Sequence, residues 1–336
     1  MAKKNSGKKS GMSQFLDSER TLSKLSKVFN QQKFQSIEEA NAYMQGLVGK
    51  TDDLDILFQG EKKSTSEEAQ EIMYDAYEER SKAKRIKLAK KAIAISKDCA
   101  DAYNLLAEES DSLEEAKELY REAISAGKRE IGVKKFEGMK GDFWEYTETR
   151  PFMRAMAGLA DCYWMLNQKT ESVEVMKEML ILNKNDNMGM RYILINKLLV
   201  LKRLKEAEEL LKEFEGDNTA HWLYSEAFLF FNKPSKKFSA DEKLKEAFNY
   251  NPYVPQFMFG IKKMPKVLPD YMGIGDETEA IQYVNESMEV WGPDKMAVRW
   301  LAGLFHKIEN ELMKLCEQRE KEKRDWYKEL SGKMPS

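Results

Sequence analysis

The chain has 336 residues, 42% hydrophobic and 33% charged, with 55 Lys and Arg against 57 Asp and Glu for a net charge of -2. That mixture describes a soluble, helix-biased protein with a core, and near-neutrality excludes a global field that would recruit nucleic acid or membrane. Three cysteines, Cys99, Cys162 and Cys316, are odd in number and far apart, which supplies neither a disulfide framework nor metal-ligand spacing and makes a reducing, cytoplasmic location the expectation.

Residues 1–11, made mostly of Gly, Ser and Lys, predict a disordered basic tail, and no apolar run follows that would make it a secretory signal. Over 12–48 the helical spacing of Leu16, Leu22, Leu25 and Phe29, followed by the Ser36 and Glu39 capping box, predicts an N-terminal helical pair. The polar, acidic stretch 49–65 with Gly60 inside predicts a linker.

From residue 66 the chain echoes itself. Ala69, Ile72 and Met73 are matched by Tyr103, Leu106 and Ala107, by Met156, Leu159 and Ala160, by Leu194 and Ile195, and by Tyr224, Ala227 and Phe228. A second set follows each later group: Ala116, Tyr120 and Ala123; Ser172, Met176 and Met179; Ala207, Leu211 and Phe214; Ala240, Leu244 and Ala247. The steps from Ala160 to Ile195 and on to Phe228 are 35 and 33 residues. Two helices in about 34 residues is the tetratricopeptide period, and over 66–252 the chain resembles that family. The resemblance implies an all-α, right-handed α-solenoid of about five helix pairs, with the N-terminal pair before it and a C-terminal helical cap after it.

Register breaks at 128–152, an insertion rich in aromatic residues and glycine. Trp144, Tyr146, Arg150 and Arg191 are candidates for a lid or rim over a ligand. The alternative is that Phe143, Trp144 and Phe152 plug the core where the register fails.

After the array, Asn251-Pro252-Tyr253-Val254-Pro255 opens a different segment, 253–304, and Gly273-Ile274-Gly275-Asp276 leads into a helix. Together with the aromatic run 143–154 and Asn185-Asp186-Asn187, these motifs resemble the suppressor-of-tumorigenicity-seven family and related bacterial repeat proteins over about 66–304. That resemblance implies no established chemistry. Its eukaryotic members are expected to be membrane-associated, a property that does not transfer to a sequence without a spanning segment. Residues 305–336 predict a charged helix closing the array.

The tetratricopeptide resemblance implies that the first helix of each pair lines a concave groove. Its lining positions carry over to Arg154, Asp161 and Trp164 in the third repeat, Tyr192 and Asn196 in the fourth, and Trp222, Ser225 and Asn232 in the fifth. Aromatic rings with polar hooks suit a protein or peptide partner. The competing expectation is that the C-terminal tail fills the same space against Trp164, Tyr192 and Trp222. In the first two repeats the corresponding residues are Glu67, Gln70, Tyr74, Asp101, Asn104 and Glu108, an acidic set that favours a basic or apolar segment.

Signals for catalysis fail individually, so no catalytic residue, metal or cofactor is expected. Gly46 to Thr51 lacks the leading glycine of a phosphate loop, and Gly273 to Asp276 lacks the third glycine of a dinucleotide fingerprint and reads instead as a turn capping the next helix. His221 and His306 have no ligand-spaced partners. Two alternatives to a protein-binding scaffold stay open: a nucleic-acid accessory factor using the basic run 82–91, and a hydrolase with its site in the C-terminal segment.

Overall fold

Helix dominates the computed structural model, which describes residues 11–31, 34–47 and 63–333. Among these the secondary structure comprises sixteen α-helices, two 3-10 turns and isolated bridges from Gly141 and Asp142 to Asn183. The protein is all-α, built from helix pairs. The basic tail lies outside the described residues except for Gly11, and so does the linker up to residue 62.

Two compact units divide between Met188 and Gly189. The first contains α1 (Gly11–Gln31), α2 (Ile37–Leu47) and the pairs α3 (Thr65–Glu78) with α4 (Lys82–Ile95), α5 (Ala100–Glu108) with α6 (Leu113–Ile131), and α8 (Arg150–Met165) with α9 (Lys169–Leu182). Short α7 (Val133–Gly138) lies in the insertion. Ser64 starts α3 through a reciprocal capping box, its hydroxyl accepting from the Glu67 amide while Glu67 accepts from the Ser64 amide. Small side chains then let the helices approach: Ala69, Ala76, Ala89, Ala92 and Ala102 are fully buried, with Met73 and Leu105 filling between them.

The second and third pairs meet across Ala100, Ala123, Ala126 and Ala155. Contact there is closest at Gly158, where a Cβ would sit 2.2–2.7 Å from ring atoms of Tyr120. Gly158→Ala is therefore expected to destabilise the chain by about 1–3 kcal/mol through overpacking, although alanine is the better helix former. Urea denaturation checks this, and Tyr120→Leu in the same background should recover most of the loss if the ring is the cause.

The insertion begins later than its sequence suggests, because α6 continues to Ile131 and stops at Gly132, whose φ of 74° suits glycine. Gly141 and Phe143 donate their amides to the Leu182 carbonyl, and Lys184 donates back to Gly141, so the segment is sewn to the end of α9. Phe136, Phe143 and Phe152 form an aromatic trio with centroids 4.8–5.8 Å apart. Phe143 and Phe152 are buried as core plugs, while Trp144 stays half-buried beneath the Arg150 guanidinium.

The second unit holds the pairs α10 (Met190–Val200) with α11 (Leu204–Glu213) and α12 (Ala220–Asn232) with α13 (Ala240–Tyr250), then α14 (Val254–Met258), α15 (Glu277–Trp291) and α16 (Lys295–Lys333). Helix α12 is buried on nearly every side from Ala220 to Leu229, as expected of a helix between layers. Asp276 caps α15 by accepting from the Thr278 and Glu279 amides, which makes the Gly273 to Asp276 turn a helix start. Helix α16 runs unbroken through positions 304 and 305, where the sequence suggested a junction; no proline interrupts it, and Gly303 faces open space. Among the described residues no helix is long and apolar enough to cross a membrane.

Candidate protein-binding faces

In the first unit, α1 lies across the row of first helices. Arg154 on α8 is the centre of its attachment: Nη1 and Nη2 donate to the two Glu19 carboxylate oxygens at 2.8 and 3.0 Å, while Nε and Nη2 donate to Asp101 of α5 at 3.1 and 2.7 Å. Both carboxylates have fully buried side chains and Arg154 is 9% exposed. Burial works to lower the Arg154 pKa, but Asp101 and Glu19 overcome it and hold the guanidinium well above its ordinary value. Next to Glu19, Arg20 reaches Glu71 at 2.6 Å and Asp75 at 3.3 Å on α3 and sits over the Tyr74 ring, and two turns on Lys27 reaches Glu67 at 3.1 Å. The acidic positions of the first repeats thus face a basic side of α1.

Beside α1 remains a cleft of about 860 Å³, bordered by Ser23 and Lys27 of α1, Gln70 and Tyr74 of α3, Glu130 of α6, and Pro151 of α8. Asn104 Nδ2 donates to Asp101 and to the carbonyl of Pro151 at the cleft edge, while its Oδ1 finds no partner among the described residues. Further along α8, Asp161 is exposed, and Trp164 is buried with the Lys169 ammonium 3.6 Å from its ring centre. Of the rim candidates, Tyr146 is exposed, and Arg150 is half-buried, donating to the Trp144 carbonyl.

The inner side of the second unit carries α15, which packs on α10 and α12. His221 Nε2 meets Glu286 at 2.8 Å, Lys197 meets Glu289 at 3.0 Å, and Tyr283 lies edge-on to His221 and tilted against Tyr224. Burial tends to raise the Glu286 carboxyl, but the His221 contact outweighs it and keeps it below the usual range. Buried Glu279 at the start of α15 accepts from the amides of Ala220 and Gly275 and from the Asn251 side chain, each at 2.8–2.9 Å. Sequence reading missed Glu279; its Asp-x-x-Glu spacing from Asp276 was visible, but its long-range donors were not.

Of the remaining candidates, Tyr192 and Trp222 pack among α10, α11 and α12 themselves. Tyr192 and Trp222 come together edge-to-face at 5.9 Å, and the Trp222 indole donates to the Leu211 carbonyl. Arg191 and Tyr192 both bond Asp217. Burial and Asp217 push the Tyr192 phenol up to about 12; burial works to raise the Asp217 carboxyl, yet its hydrogen bonds from Thr219, Tyr192 and Arg191 hold it low. Asn196 and Ser225 are buried with Oδ1 and Oγ unpartnered, and Asn232 turns back to the Phe228 carbonyl. The named residues divide between two units: Arg154, Asp161 and Trp164 in the first, the rest in the second. Among the second group, Asn196, Trp222 and Ser225 are covered.

All three cysteines are buried, and burial, with Asp101 adding to it, pushes the Cys99 thiol up to about 12. Among the described residues no three His, Cys, Asp or Glu side chains converge on a metal-sized site.

A family sequence profile described as ST7 protein matches residues 29–321. The human protein called suppressor of tumorigenicity 7 protein-like is 25% identical over 249 residues, covering 66% of this chain and 42% of its own length. The protein ST7 homolog of Drosophila pseudoobscura pseudoobscura is 26% identical over 255 residues, covering 67% and 46%. This chain therefore spans less than half the length of these relatives. Among solved structures, YrrB, described as a TPR protein with an unusual peptide-binding site, is 18% identical with a TM-score of 0.38, covering 54% of this chain and 81% of its own. With its helix pairs in place and the profile running through nearly all of them, the chain belongs to the ST7 protein family.

Proposed function

We propose that this chain is a non-catalytic protein-binding scaffold that holds helical segments on the inner faces of its helix pairs. One observation supports the reading above others: in each unit a helix from outside the pairs already lies across the first helices, attached by charged and aromatic side chains. A surface that seats α1 and α15 in this manner has the chemistry for helix-in-groove recognition. The sequence placed external contacts along Arg154, Asp161, Trp164, Tyr192, Asn196, Trp222, Ser225 and Asn232. Because Asn196, Trp222 and Ser225 are buried in the second unit, the reading favours the first unit, where the cleft beside α1 is open.

The nucleic-acid alternative is weakened by how the 82–91 cations are spent. Lys82 meets Asp111, Lys84 meets Glu79, and Arg85 meets Glu109, so half of the run's six cations already face carboxylates. A photoreactive phenylalanine analogue at Glu67, on the inner face, is expected to crosslink to other proteins in the source cells, whereas the same analogue at Lys87 on α4 should not. Equal labelling from both positions, or labelling of nucleic acid alone, would sink the scaffold reading.

A further inference from the structure

We infer that the inner face of the first unit is a receptor for a basic helix of a partner protein, and that α1 is the internal occupant this partner replaces. The inference rests on the scaffold reading and adds the partner's chemistry. Carboxylates predominate on the wall facing α1, Glu67, Glu71 and Asp75 on α3 with Asp101 on α5, continued by Glu130 at the cleft, where Lys63, 3.7 Å from Glu71, and Lys135 are the intervening cations. Helix α1 answers with Arg20 and Lys27, seven residues apart and so on one side after two turns.

Arg154 supplies the specific feature. Asp101, which belongs to the array, holds one edge of the guanidinium, and the remaining N–H groups point at an incoming carboxylate, Glu19 in the closed form. The array side of that fork is complete without α1, so the hook is preorganised. A partner helix is thus defined by an acid followed directly by Arg, with Lys seven positions after the Arg.

Helix α1 is suited to leaving. Among its described residues Leu16 is the buried apolar anchor, at 2% exposure, while Leu22 and Phe29 remain exposed and Glu19, Arg20 and Lys27 hold it by ion pairs. Its departure would merge the space it fills with the neighbouring cleft, making room for a bulkier helix.

The experiment uses the full chain and a fluorescein-labelled peptide of residues 11–31, with binding followed by anisotropy. The wild-type chain, its face filled, should bind weakly. Arg20→Glu in the chain sets like charges against Glu71 and Asp75 and should tighten binding of the unaltered peptide about ten-fold, since the competent fraction rises. The peptide carrying Glu19→Lys should lose that gain, because it offers Arg154 a cation. Equal binding by the wild-type and Arg20→Glu chains, or by both peptides, overturns the inference. Should Arg20→Glu fail to fold, Lys27→Glu at the more exposed end of α1 makes the same comparison. Sedimentation of the wild-type chain as a dimer that Arg20→Glu abolishes would assign the face to α1 of a second copy and overturn the partner assignment. Crosslinking from Glu67 that persists while every peptide fails would leave the scaffold reading intact and remove only this one.

Discussion

Arg154→Ala is expected to cost about 3–5 kcal/mol of folding stability, a loss measurable by urea denaturation at neutral pH. The substitution leaves the Glu19 and Asp101 carboxylates buried near each other, with Arg150 3.9 Å from Glu19 as the nearest remaining cation. A second substitution tests the cause: Arg154→Met keeps much of the side-chain volume without the charge, so an equal deficit assigns the loss to the stranded carboxylates and a recovered stability assigns it to lost packing.

Glu279→Ala is expected to cost about 2–4 kcal/mol, because it leaves three donors without their acceptor. Those donors are the amides of Ala220 and Gly275 and the Asn251 side chain, which come from three separate stretches of the second unit. Amide hydrogen exchange provides the specific readout. Protection at Ala220 and Gly275 should fall more than protection within α13, whose internal hydrogen bonds are untouched. Uniform loss across the unit would mean that Glu279 acts through general packing and not as a tie between α12 and α15.

The helix pairs were legible because small residues at fixed offsets record how closely helices approach; Ala69, Ala102 and Ala116 mark contacts that larger side chains would forbid. The core role of Phe143 and Phe152 was legible as one of two alternatives, since aromatic residues in a register break must either pack or protrude. Their anchor was not, because the Leu182 carbonyl that holds the insertion is backbone and leaves no mark in side-chain identity.

Helix α1 was legible as a helix but not as an occupant. Glu19 and Arg20 look like ordinary surface charges, and the partner that buries Glu19 lies 135 residues away. The same holds for α15, where Glu286 and Glu289 read as solvated charges until His221 and Lys197 are brought opposite them. Placing Trp222 in an open groove followed from family register, which places a side chain on a helix side but says nothing of how Tyr192 and Phe214 close around it. Arg154 was legible only as a polar residue lining the expected groove; that it joins the Glu19 and Asp101 carboxylates required the fold.

The return of α15 over α10 and α12 also imposes an order of events during synthesis. Lys197 must wait 92 residues for Glu289 to emerge from the ribosome, and His221 waits 65 for Glu286. For that interval the fourth and fifth pairs stand with their inner side uncovered, and at translation speeds of roughly 5–20 residues per second the delay lasts several seconds. The nascent second unit therefore completes its helices well before it can complete its core, so chaperone dependence during translation should concentrate there.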